Sequence, residues 1–100
     1  MINAGMSEYR KNSMQKSEIS QYLAQLKDPE KIQKFLVSIL TPAEVHDLNL
    51  RWELMKMLKE GKSQRQIAGE LHISLCKITR GSRELKKKNS ILNEAIEKFT

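Results

Sequence analysis

From Ser17 almost to the C-terminus, apolar residues recur at three- and four-residue steps, and this pattern is cut into short lengths by side chains that cap helices. A chain patterned this way has little choice but to pack helix on helix. It holds no alternating apolar–polar run that could start a strand, and no internal repeat. The expected fold class is all-α, with about six helices joined by short loops. Residues 1–16 have no helical period and read as a loose tail, which leaves a single helical domain over residues 17–100.

The local signals fix most of the boundaries. Ile19, Tyr22, Leu23 and Leu26 outline a first helix. Asp28 can cap a second, with Pro29 in its first turn, where a missing N–H costs nothing, and Ile32, Phe35, Leu36 and Ile39 as its apolar face. Thr41-Pro42-Ala43-Glu44 reads as a capping box and opens a longer helix. Its stripe is Val45, Leu48, Trp52, Met55 and Leu58, broadened by Leu50, Leu54 and Met57, so burial on more than one side is expected. Gly61 suits a left-handed C-cap. Ser63-Gln64-Arg65-Gln66 is a second capping box, Ser74 can cap the next helix, and Ser90 a last short one.

Charge is unevenly placed. The formal net charge is +6 over 100 residues. Residues 61–90 hold Lys62, Arg65, Lys77, Arg80, Arg83, Lys86, Lys87 and Lys88 against only Glu70 and Glu84, so the whole excess lies there. Such a concentration is an electrostatic footprint for an anionic polymer or surface, or else a solvated lysine-rich face. Met1–Lys16 lacks the apolar segment of a signal peptide, and no stretch has the length to cross a bilayer, so a cytoplasmic protein without a membrane partner is expected. With one cysteine, Cys76, and two distant histidines, neither an internal disulfide nor a metal site is expected.

Residues 63–87 have the layout of a helix-turn-helix. Ile67 and Leu71 lie one turn apart on the first helix, Ala68 is small where the second must cross, and Ile73 plugs the turn. Ile78 and Leu85 anchor the second helix, leaving Leu75, Cys76, Lys77, Thr79, Arg80 and Arg83 largely outward. A recognition helix needs this: N-terminal residues at base edges, basic residues and capped amides at phosphates. Lys77 and Arg83 can donate to guanine or phosphate, and Leu75 and Thr79 offer methyl groups to thymine. Gln64, Arg65, Ser74, Cys76 and Lys86 complete the expected DNA-contacting set. The competing interpretation is a helical interaction module that binds an acidic protein partner through the same basic face. No Ser/His/Asp or Cys/His arrangement, glycine-rich phosphate loop or carboxylate pair points to an enzyme.

Leu40-Thr41-Pro42, Arg51, Gly61-Lys62-Ser63-Gln64-Arg65, Ile78-Thr79-Arg80-Gly81-Ser82 and Leu85-Lys86 together resemble the tryptophan repressor family, over about Leu40 to Lys87. The resemblance implies an intertwined, all-helical homodimer that represses transcription from a near-palindromic operator in double-stranded DNA. Its two reading heads would face successive major grooves roughly 34 Å apart, a docking geometry long established for helix-turn-helix repressors, this family among them. It further implies L-tryptophan as corepressor. Arg80 would pair the carboxylate, Thr41 would add a hydroxyl, Arg51 would stack on the indole, Gly81 would leave room for the ring, and carbonyls near Leu40 would take the ammonium. Each has a plainer alternative: Arg80 as a phosphate contact, Arg51 as the ion-pair partner of Asp47 at i−4, Gly81 as a helix-packing position. This chain departs from the tryptophan-binding pattern at Glu84, where those members carry a serine near the ligand ammonium; Glu84 could receive that ammonium directly and is included among the expected ligand residues. It also departs at Lys77, which replaces a smaller residue, and at His72, in a turn position usually held by glycine. Arg51-Trp52-Glu53 and Glu60-Gly61-Lys62 resemble a related branch not known to respond to tryptophan, so the ligand stays open.

Overall fold

In a computed structural model, residues 17–100 are described, and they form six helices and no strand. The helices are α1 (Glu18–Gln25), α2 (Pro29–Ile39), α3 (Pro42–Lys59), α4 (Gln64–Leu71), α5 (Leu75–Lys86) and α6 (Ile91–Glu97). The expected tail, residues 1–16, lies outside the described residues. Helix starts follow the caps that the sequence offers. The hydroxyls of Ser17, Ser63, Ser74 and Ser90 accept from the backbone N–H three residues on, and the Asp28 carboxylate accepts from Glu30 N–H. Each such cap contributes about 1 kcal/mol, by pairing a donor that the helix leaves open. In the second capping box only the Ser63 half forms, because the Gln66 side chain turns to Glu70, its Nε2 donating to Oε2 at 3.0 Å.

The chain divides into two compact units, one ending at Thr41 and the other running from Pro42 to Thr100, where sequence patterning treats residues 17–100 as one domain. The first unit contains α1 and α2, joined by a tilted contact between the rings of Tyr22 and Phe35 at 5.4 Å. Both helices are amphipathic, yet neither holds a buried residue. Two short helices offer each other too little surface to bury a full stripe.

In the second unit α5 packs on α3, α4 and α6, and α3 also meets α4 and α6. The core is Leu54, Met55 and Met57 from α3, Ile67 from α4, Ile78 from α5 and Ile96 from α6. Half-buried Ala68, Leu71, Ile73 and Leu85 pack around it, as their spacing predicts. The α3 stripe is a correction: Leu48 and Trp52 are exposed, and the broadening residues Leu54 and Met57 carry the core with Met55. Only the C-terminal half of α3 is enclosed by α4, α5 and α6 in this unit. Trp52 instead meets Phe99 edge-on at 5.7 Å.

Two turns aim the helix pair. After α3, Gly61 takes φ +92°. Its N–H donates to Leu58 O at 3.0 Å, and Lys62 N–H to Met57 O at 3.1 Å, a complete Schellman closure. Between α4 and α5, His72 ends α4 in the left-handed region, φ 56° and ψ 46°, the strained turn expected where glycine would fit.

Left-handed backbone costs a β-carbon-bearing residue about 1–2 kcal/mol, partly offset by the greater unfolded freedom of glycine. His72→Gly is therefore expected to stabilise the protein by about 0.5–1 kcal/mol, read as a higher thermal midpoint. Ile78 is fully buried between α5 and the other helices, so Ile78→Ala is expected to cost about 2–5 kcal/mol in denaturant unfolding.

Candidate nucleic-acid interface and the cavity beside it

Helix α5 presents different residues to three surroundings. Ile78 and Gly81 are buried and Leu85 half-buried, while Leu75, Cys76, Lys77, Arg80, Arg83 and Lys86 are exposed. Arg65, near the start of α4, is exposed too. Ser74 is spent on capping α5, accepting from Lys77 N–H at 3.4 Å. Thr79 differs from its expected outward place: it is half-buried, and its hydroxyl donates to Gln64 Oε1 at 3.0 Å. That bond ties the middle of α5 to the start of α4. It also fixes which way the Gln64 amide points, leaving its NH₂ group as the free end.

Ion pairs remove part of the positive charge. Lys62 Nζ lies 3.1 Å from Glu70 Oε1, and Lys87 Nζ lies 2.7 Å from Glu84 Oε2. The bonds from Lys62 and Gln66 hold the Glu70 carboxyl below the usual carboxylate range. Lys87 does the same for Glu84, with a smaller effect from Arg80. Arg65, Lys77, Arg80, Arg83, Lys86 and Lys88 make no ion pair among the described residues. Their charge is open to an external anion.

On its other side α5 borders a cavity of about 310 Å³. Arg51, Leu54 and Met55 of α3, Lys77, Arg80, Gly81 and Glu84 of α5, and Leu92 of α6 line it. Four of the expected ligand residues, Arg51, Arg80, Gly81 and Glu84, are thus brought together. Leu40 and Thr41 belong to the preceding unit. Arg51 makes no ion pair with Asp47 among the described residues. Gly81 serves close packing, since a β-carbon there would lie 2.6 Å from Leu54 Cδ1. Sequence reasoning placed Lys77 with DNA only, and it did not foresee the apolar lining of Met55 and Leu92. The signal for Lys77 was present: residues 77, 80, 81 and 84 follow one helical stripe.

The family model described as Trp repressor protein matches residues 14–100. The chain belongs to this family. Trp operon repressor homologs of Vibrio parahaemolyticus and Vibrio campbellii are each 38% identical to it over 63 residues, which is 62% of this chain. The match spans 61% and 63% of those two proteins, somewhat over half the length of each. No solved structure matches the chain significantly. Among the described residues no helix is long and apolar enough to cross a membrane, and no group of His, Cys, Asp and Glu could hold a metal ion.

The Glu84 carboxyl is held down chiefly by Lys87, so this pair supports the fold above the ordinary carboxylate range and is lost as pH falls through the lowered value. Lys87→Ala is expected to move the Glu84 titration upward, measured by NMR on the side-chain carboxyl carbon. An unmoved titration would show that another group holds the proton off.

Proposed function

We propose that the protein is a transcriptional repressor that reads a near-palindromic operator as a homodimer, with α4, its turn and α5 as the reading head. One observation carries this: a buried anchor, Ile78, holds α5 while Lys77, Arg83 and Lys86 on the same helix stay exposed and without ion pairs among the described residues. Leu75 and Cys76, also exposed, sit at the helix start, where base edges would be met, and Arg65 supplies a cation from α4. Thr79 and Gln64 act as a tied pair, with the amide donating to a phosphate. Family membership and the names of the relatives point the same way.

The homodimer rests on unburied apolar surface. Neither α1 nor α2 buries a residue within one chain, and Tyr22, Val37 and Ile39 are exposed, as are Leu48, Trp52, Ile91 and Phe99 of the second unit. So much apolar exposure in so small a chain calls for a partner surface, and a second copy supplies matching stripes. Residues 17–100 then act as one domain only within the dimer. The cavity beside α5 is an effector site whose Arg80 pairs a ligand carboxylate, with Arg51 across from it. Family membership nominates L-tryptophan as one candidate corepressor.

Selection from a random duplex pool is expected to enrich one near-palindromic motif, and affinity for it should fall steeply with salt. Lys86→Ala is expected to weaken binding to all sequences and to lower the log–log salt slope by about 0.9, as one phosphate contact does. Absence of an enriched motif, or salt-insensitive binding, would overturn the operator reading. Mobility shifts with and without L-tryptophan test the corepressor.

A further inference from the structure

Arg51, Lys77 and Arg80 all line the cavity beside α5, and none of them makes an ion pair among the described residues. Against these cations stands one carboxylate, Glu84, already held by Lys87 at 2.7 Å. Asp47 borders a neighbouring recess that Arg51 and Lys77 also line, but it pairs with neither. The remaining lining side chains, Leu54, Met55 and Leu92, are apolar.

The reading of this cavity as an effector site is the premise here. On it we infer that the ligand is a small molecule with an apolar body and two negative charges, either a dicarboxylate or a phosphate monoester. The guanidinium groups of Arg51 and Arg80 are forks suited to a carboxylate or a phosphate, and Lys77 adds a point charge. A zwitterionic amino acid meets this lining less well. Its carboxylate satisfies one fork, while its ammonium must draw Glu84 away from Lys87 and face the cations left over. A doubly charged anion leaves the Glu84–Lys87 pair in place and neutralises the excess. Arg51 and Arg80 can each take one of the two charges, and Lys77 adds a third cation that strengthens the preference for a doubly charged ligand.

Calorimetry on the full chain, at mildly alkaline pH, tests this with phenylsuccinate, phenyl phosphate, phenylacetate and L-tryptophan. Phenylsuccinate or phenyl phosphate is expected to bind about tenfold tighter than phenylacetate and L-tryptophan, the gain of one further charge-assisted contact. Which of the two leads identifies the acid as a dicarboxylate or a phosphate ester. Lys77→Ala should shrink the advantage and Lys77→Arg should keep it, with circular dichroism showing unchanged helicity for both. Tightest binding by L-tryptophan would overturn the inference and leave the effector site standing. Equal binding of singly and doubly charged probes, or an advantage left undiminished by Lys77→Ala, would overturn it as well. Silence from all four probes would remove the effector site together with the inference, while operator binding would still be judged by duplex selection.

Discussion

The contact between Gly81 and Leu54 sets how α5 lies against α3, and with it which side of α5 faces the cavity and which faces solvent. A glycine inside a helix costs about 0.5–1 kcal/mol relative to alanine, so its place in the middle of α5 asks for a return. The return is a close approach of α5 to α3, at a point where a β-carbon would lie 2.6 Å from Leu54 Cδ1. Leu54 is only 1% exposed and has little freedom to retreat except toward the cavity that it also lines. Arg51 and Met55 sit within a turn of Leu54 on α3, and Lys77, Arg80 and Glu84 within a turn or so of Gly81 on α5. The two groups face each other across the cavity because these helices touch where they do. The same contact settles which side of α5 is left for solvent.

Packing in the rest of the molecule is less complete. The second unit has a real if small core, centred on Leu54, Ile67, Ile78 and Ile96. The first unit has amphipathic helices without any buried residue. Apolar burial is the main favourable term in folding, so helices that bury nothing contribute little to the stability of an isolated chain. An amphipathic stripe that buries no residue among the described ones is surface that the proposed second copy would cover. The exposed Trp52, resting on Phe99 at the open end of α3, belongs to the same class of unfinished packing.

Much of this was legible in the sequence because caps and periodicity are local. Asp28, Ser63, Ser74 and Ser90 each start a helix by pairing a backbone N–H within three residues, a bond the chain makes wherever its neighbours lie. Gly61 was legible for the same reason, whereas the left-handed turn at His72 was signalled only by the resemblance, which puts glycine there. What escaped was set by distant partners. Helical spacing shows that α3 has more than one apolar stripe, but not that α4–α6 enclose the stripe of Leu54 and Met57 while Leu48 and Trp52 stay open. Thr79 reads as an outward position until Gln64, fifteen residues earlier, takes its hydroxyl. Likewise Arg51, Arg80 and Glu84 were legible as ligand candidates, whereas the apolar walls of their cavity depend on how three helices meet.

The positive charge of residues 61–90 is therefore not one uniform patch. Lys62 and Lys87 are engaged by Glu70 and Glu84, which stiffens the edges of the helix pair and removes two cations from the available set. Lys77 is exposed near the start of α5 and at the same time borders the cavity on the α3 side. A side chain with a four-carbon stem can place its ammonium toward either surface, but not both at once. An anion that held it on one side would change what it can offer on the other, and by linkage the effect would be reciprocal: whatever a bound ligand did to affinity for DNA, DNA would do to affinity for the ligand. A smaller, uncharged residue at this position would let cavity and reading surface act through helix position alone. With lysine there, the proposed effector site and the proposed reading surface would share a charge, and coupling between them would need no movement of the backbone.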